Sequence, residues 1–307
     1  MRDQIWRRET QIELSEVGER YRRSWLPSEP SRVMLLVHGY AEHTGRYDEM
    51  AMHFAERGFA VHAYDQAGHG RTAGPRGHVD RFARLVDELV RFIELVRLDH
   101  PGLPQTLVGH SMGGLVVAAT AAFRHPEVEH IVLSGALLQL GGDGGGLRQS
   151  LGLGVARMIA TFAPRVALST GLDLQGLSRD PEVIRRYVRD PFVKDRMSVR
   201  FAAGMSSMVS AVRGAADRIE RPILILHGGA DPISPPAGSR LLYAGLTEKV
   251  AEKSAIQIYP ELRHEIFQEP EREQVWQDML RWLESGPRFP TTYGEREELG
   301  GRTDTFG

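Results

Sequence analysis

Short apolar runs alternate along the chain with amphipathic segments of helical periodicity. Such runs favour strands that are buried on both faces, as in a parallel sheet. Six of them are present, over residues 33–37, 59–64, 106–108, 130–134, 222–227 and 255–259. Helical periodicity is clearest over residues 79–98, 115–123 and 271–283. The alternation predicts a doubly wound α/β domain with a mostly parallel sheet and helices on both faces.

The alternation breaks between residues 140 and 218. A glycine-rich stretch over 141–146 predicts a flexible hinge. The apolar residues of 147–162 then fall on one helical stripe, and no strand-like run follows. We interpret residues 140–218 as a helical cap, or lid, that packs on the core and lines a pocket. The α/β core would comprise residues 1–139 and 219–286, and the polar tail 287–307 is expected to be flexible.

Composition narrows the range of functions. The 307 residues carry a formal net charge of -2 and no basic tract interleaved with aromatic residues, which argues against a nucleic-acid partner. The absence of cysteine excludes disulfides, thiolate metal sites and a cysteine nucleophile. The charged first residues do not resemble a secretory signal, and no stretch approaches the roughly 18 apolar residues of a spanning helix. We therefore expect a cytoplasmic protein.

The segment Gly109–Gly113 has the pattern G-x-S-x-G directly after an apolar run. In a nucleophile elbow, a strand turns sharply into a helix and holds the central serine in strained backbone angles. Small flanking residues avoid a clash at that turn. Since the pattern here lies between a strand-like and a helix-like run, it predicts Ser111 as a nucleophile rather than part of a chance glycine-rich loop.

A serine hydroxyl needs a base, and the base needs an orienting group. In the α/β fold that is built around such an elbow, the acid and the histidine follow the serine along the chain. Asp231 and His264 have that order, and each comes after a predicted strand. Asp231 could instead only start the Asp231-Pro232 turn. Among the 12 histidines, His264 is favoured because it is the only one after Asp231.

Acyl transfer also requires hydrogen-bond donors for the tetrahedral oxyanion. One is expected to be the backbone N–H of Met112, and the other the backbone N–H of Tyr40, in the loop after the first apolar run. The alternative for that loop is an ordinary glycine turn. Histidines at 38, 43, 69 and 78 match no zinc spacing, so we expect no metal.

Five motifs together resemble the monoacylglycerol lipase and lysophospholipase group of the α/β-hydrolases. They span residues 38–47, 65–72, 109–113, 228–231 and 260–265. The resemblance extends over nearly the whole chain. It implies an α/β-hydrolase fold with an inserted cap, and hydrolysis of monoacylglycerols to glycerol and fatty acid through an acyl-serine, without a cofactor.

The resemblance also implies a glycerol-binding end of the site. Glu42 and Arg46 match the loop residues that shape this end, and Tyr187 matches a cap tyrosine that contacts glycerol. The alternatives are that Glu42 and Arg46 form an ion pair that stabilises the loop, and that Tyr187 only packs on the cap. Tyr40 departs from the group, in which a small residue is common at this position.

Other functions remain open on the same motifs. A broad-specificity carboxylesterase or a lysophospholipase would use the same three residues, and so would a peptidase of the prolyl aminopeptidase type. A ligand receptor without catalysis is a further alternative. The expected partner is a small lipid ester, and the apolar face of the cap is expected to touch membrane or micelle surfaces transiently. The sequence predicts no oligomeric state.

Overall fold

A computed structural model of the chain describes residues 4–140 and 163–286. Its strands are β1 (Trp6–Leu14), β2 (Gly18–Leu26), β3 (Arg32–Val37), β4 (Phe59–Tyr64), β5 (Gln105–His110), β6 (His130–Ser134), β7 (Ala167–Leu168), β8 (Met197–Ser198), β9 (Ile223–Gly228) and β10 (Ala255–Tyr259). Its α-helices are α1 (Asp48–Ala55), α2 (Ala83–Asp99), α3 (Met112–Arg124), α4 (Pro181–Arg189), α5 (Val199–Arg213), α6 (Pro236–Ala244), α7 (Glu248–Ala251) and α8 (Arg272–Ser285). Within these ranges, no helix combines the length and the apolar character needed to cross a membrane.

In the part of the chain that the structure describes, eight strands form one sheet in the order β1-β2-β4-β3-β5-β6-β9-β10. Neighbouring strands from β4 to β10 are parallel, whereas β2 pairs antiparallel with both β1 and β4. The prediction of a mostly parallel sheet in an α/β fold is confirmed. Each of the six apolar runs in the sequence became one of its parallel strands.

The register of the parallel strands brings the loops at their carboxyl ends together. Val37 at the end of β3 pairs with Gly109 near the end of β5. Gly228 at the end of β9 pairs with Tyr259 at the end of β10. The loops after these four strands therefore leave the same edge of the sheet, which is where open α/β sheets place their sites.

The two faces of the sheet are covered by different helices. Successive residues of a strand point to opposite faces, so Leu35 packs in a cluster with Phe92 of α2, while Leu36 packs in a second cluster with Trp282 of α8. The strands are buried on both sides, which explains why their sequences read as continuous apolar runs.

The antiparallel hairpin β1–β2 was not predicted. Its strands mix arginine and glutamate with isolated apolar residues, and most of β1 is exposed. A search for continuous apolar runs misses such strands, because an edge hairpin needs apolar residues on only one face. The apolar Trp25 of β2 is nevertheless fully buried.

The described part of the predicted cap, residues 163–218, contains α4, α5 and a small antiparallel ladder of β7 with β8. The expectation that this stretch contains no strand is wrong for these four residues. Two paired residues on each side are too short to give an apolar run. The predicted hinge (141–146), the apolar stripe (147–162) and the tail (287–307) lie outside the described residues.

Candidate active site

Ser111 lies at the sharp turn between β5 and α3, with φ 53° and ψ −119°. Residues with a side chain rarely adopt a positive φ, so the turn is strained. A Cβ on Gly109 would lie 2.5 Å from the carbonyl oxygen of Gly113, and a Cβ on Gly113 would lie 2.1 Å from that of Val37. Neither position has room for a side chain. The two glycines thus permit the tight turn that holds the Ser111 hydroxyl at the start of a helix.

The structure brings together Ser111, Asp231 and His264. His264 Nε2 lies 2.8 Å from Ser111 Oγ, and His264 Nδ1 lies 2.7 Å from Asp231 Oδ2. A carboxylate only accepts hydrogen bonds, so Nδ1 carries the proton and Nε2 is free to accept one from the serine hydroxyl. All three residues are buried. They come from the loops after β5, β9 and β10.

Asp231 is fixed by several donors. Its Oδ1 accepts the backbone N–H groups of Ile233 at 2.8 Å and Ser234 at 2.9 Å. Its Oδ2 lies 3.2 Å from Nε2 of His227. Burial opposes the charged form, but His264 and the hydrogen bonds from the two histidines outweigh it, so the pKa of Asp231 lies well below its usual value. Asp231 therefore both shapes its turn and presents a carboxylate to His264.

The electrostatic surroundings of His264 favour its protonated form. Burial alone lowers its pKa, but the charge and the hydrogen bond of Asp231 outweigh burial, with further help from Glu265 and Glu42. The resulting pKa of His264 lies above the ordinary 6.5. The ring centroid of His110 lies 5.0 Å away, and burial together with His264 lowers the pKa of His110 to about 4. His110 therefore stays neutral over the range in which His264 titrates.

Both residues predicted as oxyanion donors border the cavity beside Ser111. Met112 is the first residue of α3, where the backbone N–H has no partner within the helix. Tyr40 follows Gly39, and a Cβ on Gly39 would lie 2.8 Å from Oε1 of Glu42 and 3.1 Å from Cβ of Ser111. The backbone of this loop therefore runs close against the serine.

Glu42, Arg46 and Tyr187 form one cluster with Glu265. Arg46 donates to Oε2 of Glu42 at 2.9 Å and to both carboxylate oxygens of Glu265 at 2.6 and 2.7 Å. The ring of Tyr187 lies over the guanidinium, 4.9 Å from its central carbon. Burial raises the pKa of Glu42, but Arg46 and other neighbours outweigh it and bring that pKa to about 2. The Glu42–Arg46 ion pair expected as an alternative is thus present.

A family model described as "Serine aminopeptidase, S33" matches residues 28–271, a range that includes the three converging side chains. The chain belongs to the serine aminopeptidase S33 family. Membership agrees with the arrangement of Ser111, Asp231 and His264 in the loops of an α/β sheet.

Relatives of this S33 protein carry lipase names. The monoacylglycerol lipase of Mycolicibacterium smegmatis is 36% identical over 264 residues, which are 85% of this chain and 91% of that protein. The human monoglyceride lipase is 29% identical over 265 residues, 85% of each chain. The crystal structure of Paleococcus ferrophilus monoacylglycerol lipase is 33% identical with a TM-score of 0.75, and the match covers 86% of this chain and 98% of that one. The resemblance to this group of α/β-hydrolases is confirmed.

In this S33 protein, a cavity of about 170 Å³ lies over Ser111 and His264. One part of its wall is apolar, with side chains from both the core and the cap segment: Leu137, Leu140, Leu172, Leu177, Met197, Met205 and Ile233. The polar part includes Glu42, Tyr187 and Glu265, whereas Arg46 is not among the bordering residues. The hydroxyl of Tyr187 is buried and has no hydrogen-bond partner among the residues that the structure describes.

Glu265 is a site residue that the sequence reasoning missed. It is buried, borders the cavity and binds Arg46 with both oxygens. The sequence feature that could have identified Glu265 as a site residue is its position directly after His264. Its partner lies 219 positions earlier in the chain, and no sequence pattern joins residues at that separation.

The histidines considered as metal ligands have other partners in this S33 protein. His38 lies 2.7 Å from the carbonyl oxygen of Gly39, His43 lies 2.7 Å from Asp190, and Nδ1 of His78 lies 2.8 Å from Ser198. Over residues 4–140 and 163–286, no group of three or more histidine, cysteine or acidic side chains is arranged to hold a metal ion.

Proposed function

We propose that the protein hydrolyses monoacylglycerols to glycerol and a fatty acid through an acyl-serine intermediate. The observation that carries this proposal is the hydrogen-bonded series Ser111–His264–Asp231 beside a cavity with one apolar and one polar part. An acyl chain suits the apolar wall and a polyol suits the polar one. The lipase names of the relatives support the same substrate.

In the proposed mechanism, Ser111 Oγ attacks the acyl carbonyl while His264 Nε2 takes its proton. Asp231 holds the imidazole in the tautomer with hydrogen on Nδ1 and stabilises the imidazolium. His264 then gives the proton to the departing glycerol oxygen. A water molecule attacks the acyl-serine in the second half of the reaction, with His264 again as base and then acid.

The tetrahedral oxyanion is stabilised by the N–H groups of Met112 and Tyr40. Such donors act at the charge that develops in the transition state, and the loss of one typically reduces kcat by about a hundred- to a thousandfold. The crowded space around Gly39 supports this role, because it keeps the loop backbone close to the serine.

Tyr187 and Glu42 bind the glycerol hydroxyls. Both residues border the cavity, and within the described ranges the hydroxyl of Tyr187 has no hydrogen-bond partner. Arg46 acts behind them as a positioning residue, since it binds Glu42 and lies against the Tyr187 ring.

The described cap residues 163–218 form a lid over this site. This segment contributes five of the apolar or aromatic side chains at the cavity: Leu172, Leu177, Tyr187, Met197 and Met205. It also exposes Val166, Leu168 and Val188, which are 46%, 62% and 62% exposed. These exposed side chains touch lipid surfaces transiently. Vesicle sedimentation should show weaker binding for Leu168→Ser/Val188→Ser, and unchanged binding would contradict this contact.

The decisive experiment measures hydrolysis of a panel of monoacylglycerols, lysophospholipids, p-nitrophenyl esters and aminoacyl p-nitroanilides. We expect monoacylglycerol turnover, and labelling of Ser111 by a fluorophosphonate. Ser111→Ala should reduce kcat by about a millionfold and abolish labelling. Cleavage of the anilides without cleavage of monoacylglycerols would instead favour a peptidase, and labelling without turnover of any ester would contradict the proposal.

A further inference from the structure

The polar part of the cavity has more carboxylates than cations. Glu42 and Glu265 both border it, and both bind the single guanidinium of Arg46. Among the described residues that border the cavity, none is lysine or arginine. One guanidinium balances one of the two carboxylates, so this part of the site retains one negative charge.

The guanidinium of Arg46 is not available to an incoming anion. Its NH1 donates to Glu42 and Glu265, and its NH2 donates to Glu265. The ring of Tyr187 covers one face at 4.9 Å. Arg46 does not border the cavity, so a phosphate in the cavity would meet the two carboxylates rather than this cation.

The two carboxylates border the same cavity as the residues that act on the leaving alcohol. His264 Nε2 points to Ser111 Oγ, and in the proposed reaction it must reach the departing alcohol oxygen. Glu265 follows His264 directly and borders the same cavity, and Glu42 lies against the Gly39 backbone beside Ser111. The departing alcohol therefore leaves a cavity that both carboxylates border.

We infer that Glu42 and Glu265 make the site selective for esters whose alcohol carries no negative charge, so that acyl glycerols are accepted and acyl glycerol phosphates are rejected. The inference rests on the proposed function and deepens it, because it distinguishes a monoacylglycerol lipase from a lysophospholipase by charge. A phosphate monoester carries about −1.5 to −2 charges at pH 7, and buried carboxylates repel it strongly.

The test compares three soluble esters with the same acyl group. They are 1-butyrylglycerol, 1-butyrylglycerol 3-phosphate and the uncharged dimethyl triester of that phosphate. The triester has the bulk of the phosphate without its charge. We expect kcat/KM of the triester to exceed that of the phosphate by at least about tenfold, because repulsion between like charges is stronger in a buried site than in water. Equal rates for the triester and the phosphate would overturn the inference, because exclusion would then be steric or absent.

Glu265→Gln supplies a second test with nearly unchanged size. We expect its kcat/KM for the phosphate, relative to 1-butyrylglycerol, to rise about three- to tenfold. Glu261→Gln is the matched control, because it removes the same charge from a side chain that is 85% exposed. It should leave the ratio unchanged. An equal change in both variants, or none in Glu265→Gln, would contradict the role of Glu265.

The outcomes separate this inference from the proposed function. If wild-type protein cleaves 1-butyrylglycerol and the phosphate equally well, the proposed ester hydrolysis stands and the charge selectivity fails. If it cleaves neither 1-butyrylglycerol nor longer monoacylglycerols but turns over another ester class, the proposed function fails first.

Discussion

At the scale of single residues, the reactivity of Ser111 depends on the pKa of His264, which the residues around the imidazole ring determine. Asp231, Glu265 and Glu42 all stabilise the imidazolium, and they outweigh burial. His110 faces the same ring but stays neutral, since its pKa is lowered to about 4. The base is therefore protonated up to a higher pH than an isolated imidazole would be.

The raised pKa of His264 predicts how the activity depends on pH. A general base must be neutral, so kcat/KM should rise with pH as His264 loses its proton, and the midpoint of this acid limb should lie above 6.5. Asp231→Asn removes the strongest stabilising charge, so its limb should move to lower pH while kcat falls by roughly ten-thousandfold. The measurement is the pH dependence of kcat/KM for a soluble ester. A wild-type midpoint below that of the variant would contradict the assignment.

Tyr187 offers a prediction about substrate recognition. Its buried hydroxyl has no partner in the described structure, and a glycerol hydroxyl would provide one. We expect Tyr187→Phe to lower kcat/KM for 1-butyrylglycerol about three- to tenfold, the range of one neutral hydrogen bond. Methyl butyrate lacks the glycerol and serves as the control substrate. An equal loss on both esters would assign Tyr187 to packing rather than to glycerol binding.

The sequence could predict the three converging residues but not their charged neighbours. Ser111, Asp231 and His264 each follow a predicted parallel strand, and parallel strands place such loops at one edge. Glu265 lies at the end of the motif 260–265, but the motif gives this residue no role. Its role in the site depends on its ion pair with Arg46, which is a tertiary contact.

At the scale of elements, the elbow between β5 and α3 depends on the backbone of β3. A Cβ on Gly113 would lie 2.1 Å from the carbonyl oxygen of Val37, and a backbone atom cannot move aside as a flexible side chain can. The close approach of helix and strand is what seats Ser111 at the strand ends.

We therefore expect Gly113→Ala to destabilise the protein by about 3 kcal/mol, as overpacking against backbone does, and to reduce kcat as well. Gly214→Ala is the matched control, because the nearest atom to its Cβ would be 3.7 Å away and its φ is negative. Urea unfolding of both variants measures the difference. Similar stability of the two variants would show that the elbow tolerates a side chain.

The sequence predicted the strands that are buried on both faces, because such strands consist of continuous apolar residues. Strands such as β4 and β9 are buried at every residue and read as continuous apolar runs. The hairpin β1–β2 and the ladder β7–β8 are fixed by backbone pairing and by contacts distant in sequence, so their residues show no comparable run. The same reasoning accounts for both omissions.

At the scale of the whole molecule, a buried ion pair connects the hairpin β1–β2, which the sequence did not predict, to helix α2 on the parallel sheet. Arg20 of β2 donates to Glu88 of α2, and the two residues are 3% and 0% exposed. Glu88 also accepts the backbone N–H of Ala67, in the loop after β4, at 3.1 Å. One carboxylate thus joins the hairpin, a helix on the sheet and a loop at the strand ends.

Removal of one partner from such a pair leaves the other charge buried without compensation. We expect Glu88→Ala to lower the free energy of unfolding by about 3–5 kcal/mol, and the double variant Arg20→Met/Glu88→Leu to lose much less, because it buries no charge. Glu127→Ala breaks an exposed pair with Arg97 and should change stability little. Urea unfolding checks all three variants. If the double variant is as unstable as Glu88→Ala, the hairpin is held by the hydrogen bonds of Glu88 rather than by relief of a buried charge.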